Sequence, residues 1–530
     1  MMDNRSVVMK LIVCIVLLSC VWCDGIDIDL SRFHPGPENH SVFRKYYTIT
    51  EDSTKINITN INDDVGMFII QVHTFVENVT LSTNLELTLH SYVTGTNVGL
   101  LWGSDESSSM FYVLRNIAVQ KEVRILLVVT LYDEYDPVPG GCNLSFDTPV
   151  APYQVITYND EYLSVNSQAP SAYGVSCDED RVEVAMFHLY LPEYDNNNET
   201  YFHGIEKMLT VKNILKYGTQ VSVPENYFKY RRLYSSYKGT GEVFAIVATY
   251  NNKSAAYVPA VSYGCDLLNW QQSCMGPVTD HWKLSMAVQV IFGLFVCFMG
   301  HKFFRMTLYM IGFTFGVLIT YLTISLEENF TTTERAVTSF IIGFMYGIVW
   351  MFFWWKFGIP LLSVHLAFLL TGFLIASIVF YAGLADIPVF TNGMNFWATF
   401  VSIMLVSLIL LIPFTMYGHI FACSFLGSYA CITALNYYVG GNLQYIIINT
   451  YRRVAVKNFN YAVIDPPFQM IDTLHSLLWI LLLLFGIFIQ VRDQRGKPPF
   501  PPNRNEVIDA ERITERTSLI RAEVPPPEYT

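Results

Sequence analysis

Seven Asn-x-Ser/Thr triplets are the densest chemical signal in the chain: Asn39, Asn57, Asn78, Asn143, Asn198, Asn252 and Asn329. Each presents an amide that accepts N-linked sugar in a secretory lumen, so together they speak to compartment rather than catalysis. One match carries little weight; six inside residues 24–283, with the seventh in a later loop, make a pattern. The same half holds Cys142, Cys177, Cys265 and Cys274. An even count in an oxidising compartment suggests two disulfides. Cys265–Cys274 as a local loop and Cys142–Cys177 as the longer bridge is the preferred pairing, with the other two pairings open. No C-x-x-C spacing occurs among the four, which leaves a redox motif or a zinc site unsupported.

Catalytic chemistry is missing. There is no H-E-x-x-H and no G-x-S-x-G, and His365 and His475 each stand alone in apolar surroundings, where packing is the ordinary role. No catalytic residue, cofactor site or metal site is expected, and the chain is not expected to be an enzyme.

Two short motifs lie in the polar, Pro-rich stretch 492–530. Pro526, Pro527 and Tyr529 form a P-P-x-Y ligand, a preformed polyproline II segment that suits the aromatic groove of a WW domain. Glu515, Leu519 and Ile520 fit the acidic dileucine pattern recognised by clathrin adaptors. Lys497 is the tail's sole lysine, within reach of a ubiquitin ligase recruited through a WW domain. Together these point to endosomal or lysosomal sorting of an accessible, largely disordered tail.

These groups need elements to carry them. Hydrophobic residues make up 52% of the 530 and charged residues 15%, against roughly 25% charged in soluble domains. Residues 24–283 hold 17 Lys/Arg and 31 Asp/Glu, a net of −14. That field repels phosphate backbones, and nucleic acid is not an expected partner.

Met1–Lys10 followed by the apolar run Leu11–Cys23 reads as a signal peptide over 1–23, because a run of 13 residues spans only about 20 Å as a helix. Period-two alternation at Leu85–Leu89 and Val182–Met186, and apolar runs at Val123–Tyr132 and Val243–Tyr250, predict strands. Helical periodicity is confined to Phe202–Tyr217. The stretch Glu122–Leu144 echoes Glu242–Leu267: Glu-Val, an apolar strand ending near Thr and Tyr, a polar turn, a Pro, then Gly-Cys-x-Leu. This predicts two tandem β-sandwich units, 24–150 and 151–281, with a single large β domain as the alternative.

From Leu284 the chain turns apolar. Spans are expected at 284–300, 306–325, 336–355, 357–383, 397–417, 420–439 and 471–491, each close to the ~20 residues that cross a bilayer. Lys302, Arg305, Lys356, Arg492, Arg495 and Lys497 fall on one side, and Glu327, Glu328, Glu334 and Asp386 on the other. The positive-inside rule then puts the N-terminal half in the lumen or outside and the tail in the cytosol. Arg452, Arg453 and Lys457 break the rule in the loop 440–470, whose apolar Tyr445–Asn449 patch suggests that it lies along the membrane surface. Gly312-x-x-x-Gly316 and Gly343-x-x-x-Gly347 permit close helix approach. The third helix ends Phe353-Trp-Trp-Lys356 and the seventh lacks Asn-Pro-x-x-Tyr, so the signatures of G-protein-coupled receptors are absent.

The stretch GHKFFRMTLYMIGFTFGVLITYLTI (Gly300–Ile324) resembles the small inner loop and second helix of the transmembrane 7 superfamily member 3 family. The signal peptide, glycosylated β half, seven spans and long last outer loop match that layout over nearly the whole chain. The membrane part is also similar to the transmembrane protein 198 family. The resemblance implies a plasma-membrane or endomembrane protein linked to survival under protein-folding stress, and it carries no catalytic residues.

The expectation is therefore a multi-domain membrane protein: an all-β ectodomain of two tandem sandwich units, a seven-helix bundle in the lipid bilayer and a disordered cytosolic tail. Its function reads as a non-enzymatic glycoprotein with a partner-binding ectodomain, located at the plasma membrane or in endosomes and lysosomes. A transporter or channel, and a receptor outside the G-protein-coupled class, are the alternatives.

Overall fold

The computed structural model describes residues 25–36, 41–88, 91–103, 108–115, 122–142, 153–222, 229–275, 280–327, 330–497 and 512–515. The expected signal peptide, Asn39, Asn143, Asn329, Leu519, Ile520, Pro526, Pro527 and Tyr529 lie outside the described residues. The chain divides into two compact units at Gly276–Pro277.

The N-terminal unit begins with a sandwich of β1 (Ile26–Asp29), β2 (Val42–Ile49), β3 (Ser53–Thr59), β4 (Met67–Thr74), β5 (Val79–Ser82), β6 (Tyr92–Gly95), β7 (Asn97–Gly103), β8 (Ser108–Arg115) and β9 (Val123–Tyr132). One sheet runs β1-β3-β8-β5-β6, with β1 parallel to β3, and the other runs β2-β9-β4-β7. The second sandwich follows with β10 (Val155–Tyr158), β11 (Tyr162–Asn166), β12 (Glu183–Glu193), β13 (Thr219–Val221), β14 (Arg231–Ser235), β15 (Thr240–Tyr250), β16 (Lys253–Ala256) and β17 (Ala260–Ser262). Its sheets are β10-β11-β14 and β13-β12-β15-β16, with β17 also on β15. Between β12 and β13 run α1 (Asn198–Glu206) and α2 (Val211–Tyr217), started by the side-chain caps Asn197 and Thr210.

The two sandwiches are stacked, and the apolar run Val123–Tyr132 shows why its alternation is missing. On β9, Ile125, Leu127, Val129 and Leu131 face the first core, whereas Leu126 and Val128 pack with Phe187, Leu191, Tyr201 and Phe202 of the second sandwich. β4 is likewise buried on both faces: Phe68, Ile70 and Val72 look inward, and Met67 and Ile69 meet Ala255 and Val258. A strand covered on both sides loses its polar stripe. Gly99 lets the layers approach, since a Cβ there would lie 2.4 Å from Val258 Cγ2.

Polar groups trapped between the layers are paired across them. Tyr132 Oη donates to Ala256 O (3.1 Å), and Tyr201 Oη donates to Asn97 Oδ1 (3.0 Å). His73 sits between Asn97 Oδ1 (2.9 Å) and Gln71 Oε1 (3.1 Å).

Two expectations change. The expected strand Leu85–Leu89 does not form over its described residues 85–88: β5 stops at Ser82, whose hydroxyl donates to Asn84 O (2.7 Å) and turns the chain, leaving Leu85 and Leu87 exposed. The strap before β10 also belongs to the second sandwich, ahead of the boundary expected at 150, because Val138 bridges Ser171 and Cys142 N donates to Ala169 O (3.0 Å).

The second unit contains α3 (Asp280–Met299), α4 (Phe304–Ser325), α5 (Thr332–Phe357), α6 (Pro360–Tyr381), α7 (Gly393–Leu411), α8 (Thr415–Val439), α9 (Tyr445–Ala455) and α10 (Met470–Gln494). Six continuous segments among the described residues are long and apolar enough to span a membrane, and one of them, Gly393–Val439, has 47 residues. At 1.5 Å per residue it is about 70 Å long, more than two hydrocarbon thicknesses. Pro413, in the turn Ile412–Phe414, breaks it into α7 and α8.

Helix α8 is the hub, packed against α3, α6 and α10, while α4 pairs with α5 and α6 with α7. The glycine motifs face each other: a Cβ on Gly312 would lie 3.2 Å from Gly347 Cα, and one on Gly316 would lie 3.0 Å from Gly343 Cα. Gly293 and Gly427 bring α3 and α8 together in the same way.

The sandwich interface generates a pH prediction. Burial holds the His73 imidazole down to about 4 from its ordinary 6.5. The unfolded chain therefore binds more protons between those values, and stability present above pH 6.5 is lost as pH falls towards 4. The loss is on the order of 3 kcal/mol. Pulse proteolysis of the intact protein, following cleavage within β4 and β9, should show this decline, and His73→Gln should flatten it.

Candidate functional site

The side chains best placed for chemistry gather at the two ends of the bundle, here the tail end, where α10 finishes, and the opposite loop end. At the tail end the link between α3 and α4 brings His301 against α10. Gln490 Nε2 donates to Cys297 O (2.7 Å) and Ser424 Oγ (3.0 Å), and its Oε1 accepts from His301 N (3.1 Å) and faces His301 Nδ1 (3.1 Å). His301 Nε2 reaches Asp493 Oδ2 at 3.0 Å, and Lys497 Nζ meets the same oxygen at 2.9 Å. One amide thus joins α3, α8 and α10, and the carboxylate beyond it fastens the α3–α4 link to the start of the tail.

The spans expected at 397–417 and 420–439 leave His419 in the short loop between them. It lies instead within α8, fully buried, with Nε2 3.3 Å from Cys423 Sγ and its ring edge-on to Phe304. The Pro413 turn shortens the α7–α8 link enough to draw His419 into the helix. His301, Gln490 and Asp493 were also missed; a lone glutamine in LLLLFGIFIQ was the signal for them.

At the loop end Asp472 is fully buried, and its Oδ1 accepts from Asn442 N (2.6 Å) while Oδ2 caps α10 through Gln469 N (3.3 Å). His475 is mostly buried below it. The Tyr445–Asn449 patch is helical and packed on its neighbours. It begins α9, which packs inward: Thr450 Oγ1 donates to Ser377 Oγ of α6 (3.1 Å) and Tyr451 Oη to Ser325 Oγ of α4 (3.1 Å).

The same fold accounts for the arginines that break the charge rule. Arg452 Nη1 donates to Asn449 Oδ1 (3.2 Å), with its guanidinium over Tyr445. Arg453 donates to Asn460 O and Phe390 O and lies 4.4 Å from the Phe396 ring centroid. Their charge is held by carbonyls and π faces, so it acts as structure. Asp386 accepts from Ile464 N (2.7 Å) and Asp465 N (2.9 Å) and secures the rest of this loop.

In the N-terminal unit Cys142 is bonded to Cys177 and Cys265 to Cys274. Asn78 is exposed before β5, and Asn252 is exposed in the left-handed turn between β15 and β16. Asn57 is half-buried on β3, where its Nδ2 donates to Asp27 Oδ1 (3.1 Å), and Asn198 is half-buried as the first residue of α1. Glu515 lies in the helical stretch 512–515. Among the described residues no group of three His, Cys, Asp or Glu could hold a metal ion.

Comparison with known proteins agrees with this architecture. Residues 37–132 match a family described as the TM7SF3-like N-terminal immunoglobulin-like domain, and residues 137–268 match the TM7SF3-like second immunoglobulin-like domain. Residues 286–491 match the TM7S3/TM198-like domain. Transmembrane 7 superfamily member 3 of Homo sapiens is 31% identical over 491 residues, covering 87% of this chain and 84% of that protein. The chain belongs to the transmembrane 7 superfamily member 3 family. The rat and mouse members are 29% and 28% identical over 479 and 492 residues, covering 87% and 90% of this chain and 85% and 87% of theirs. A multi-pass membrane protein with two N-terminal immunoglobulin-like domains is thus established.

Gln490 offers the sharpest test of the tail-end network. Gln490→Leu removes the amide's contacts with Cys297 O, Ser424 Oγ and His301 from a buried junction and should cost about 2 kcal/mol. Lys497→Gln removes an exposed ion pair and should stay within about 0.5 kcal/mol. Thermal unfolding in micelles, read by a thiol-reactive dye that reaches Cys297 and Cys423 on opening, separates the two.

Proposed function

We propose that this family member is a non-enzymatic, receptor-like membrane glycoprotein. Its immunoglobulin-like pair faces the lumen or exterior and captures a protein partner, and its cytosolic tail is read by sorting machinery. The observation that carries the reading is the sheet β2-β9-β4-β7 of the first sandwich, whose outer face is packed against the second. It holds them in one register, so a surface built by both is preorganised and binding does not have to order it.

The tail supplies the other half. Glu515, Leu519 and Ile520 suit a clathrin adaptor, and Pro526, Pro527 and Tyr529 suit a WW-domain ubiquitin ligase acting at Lys497. Traffic between plasma membrane and endosome-lysosome then follows, and a role in survival under protein-folding stress would set when the protein is retained. The buried polar groups at both bundle ends bond to backbone or to neighbouring helices, which favours a static anchor over a conducting path.

Exchange of both Leu519 and Ile520 for Ala should raise the surface fraction measured by biotinylation of intact cells, and an unchanged distribution would count against adaptor recognition. Tyr529→Ala should reduce ubiquitin on the protein to the level of Lys497→Arg.

A further inference from the structure

Between α3, α4 and α8 lies a cleft of about 650 Å³, within the roughly 300–1,000 Å³ of small-molecule sites. Its walls reach from Ser285 and Ile447 at the loop end to Met306 near the tail end, and none of its lining residues is charged. The surface is mostly aliphatic and aromatic. Its neutral polar groups include the hydroxyls of Ser285, Tyr309 and Tyr429 and one amide: Gln289 Nε2 donates to Ala430 O (3.1 Å) and Thr433 Oγ1 (3.0 Å), which leaves Oε1 as the acceptor that Gln289 offers the cleft. The threonine hydroxyls on either wall are committed to their own helices, Thr314 to Met310 O (2.9 Å) and Thr433 to Ala430 O (3.1 Å).

We propose that this cleft is a sterol site, filled from the surrounding bilayer. A phospholipid or fatty-acid headgroup brings charge that needs charged partners, and the lining has none. A few neutral polar groups, Gln289 with the Ser285 and Tyr309 hydroxyls, in an otherwise apolar, ring-lined slot match a rigid hydrocarbon body that ends in a single hydroxyl. The depth also matches. Gln289 is seven residues below Trp282, a residue type that sits at membrane interfaces, or about 10 Å along the helix. Ser285 lies between them on the same face of α3. The sterol hydroxyl is placed beneath the headgroups, donating to Gln289 Oε1, with its ring system against Phe292 and Phe313.

The test uses full-length protein in phosphatidylcholine nanodiscs and a cholesterol analogue carrying a photoreactive diazirine on its tail. Crosslinks should fall on α3 and α4, and added cholesterol should compete them away while extra phosphatidylcholine does not. Gln289→Leu should weaken cholesterol competition about tenfold, the loss of one hydrogen bond. Thr314→Trp fills the cleft from an exposed position and should abolish labelling. Equal competition by phosphatidylcholine, crosslinks confined to other helices, or wild-type labelling of Thr314→Trp would overturn the proposal. Should Thr314→Trp aggregate, wild-type competition in Gln289→Leu would overturn it alone.

Discussion

The sheet β2-β9-β4-β7 has no solvated side at its centre, and the N-terminal unit is organised around that constraint. Strands buried on both faces must be apolar on both faces, or must find a partner for every polar atom they carry into the seam. β9 takes the first course with Leu126 and Val128, and β4 takes both, with Met67 and Ile69 followed by Gln71 and His73. The hydrogen bonds from Tyr132 to Ala256 and from Tyr201 to Asn97 fix the relative register of the sandwiches, because an alternative register would leave those hydroxyls dry and unpaired. Apolar area supplies attraction at this seam, and the polar pairs select one arrangement from the many that attraction allows.

The helical unit obeys the same rule in a harsher solvent. Inside hydrocarbon no water rescues a polar atom, so polar side chains there bond to their own helix or, like Gln490, connect neighbouring ones. Gln490 joins three helices at one end, and Asp472 binds the α8–α9 corner and caps α10 at the other. Between these ends the contacts rely on shape: Gly293 against Gly427, and Gly312 and Gly316 against Gly347 and Gly343. Close backbone approach contributes dispersion that larger side chains would forfeit. Helix α9 closes the loop end and holds Arg452 and Arg453 against carbonyls and aromatic rings.

Much of this could be read from residues in order. Sequons, cysteines and the abrupt onset of apolar spans placed a disulfide-containing β half before a multi-pass bundle, because composition and local periodicity register burial directly. The glycine motifs were legible for the same reason, since small residues four apart lie on one helix face whatever they meet. The stacking of the sandwiches, the partners of Gln490, the helical position of His419 and the inward fold of α9 were not legible. Each depends on residues far apart in the chain, such as Tyr132 with Ala256 or Cys297 with Gln490, whose meeting is set by how whole elements pack. Leu85–Leu89 marks the boundary between the two kinds of information: its alternation is real, yet a strand also needs a neighbour to complete its hydrogen bonds, and at that point the tertiary fold turns the chain away.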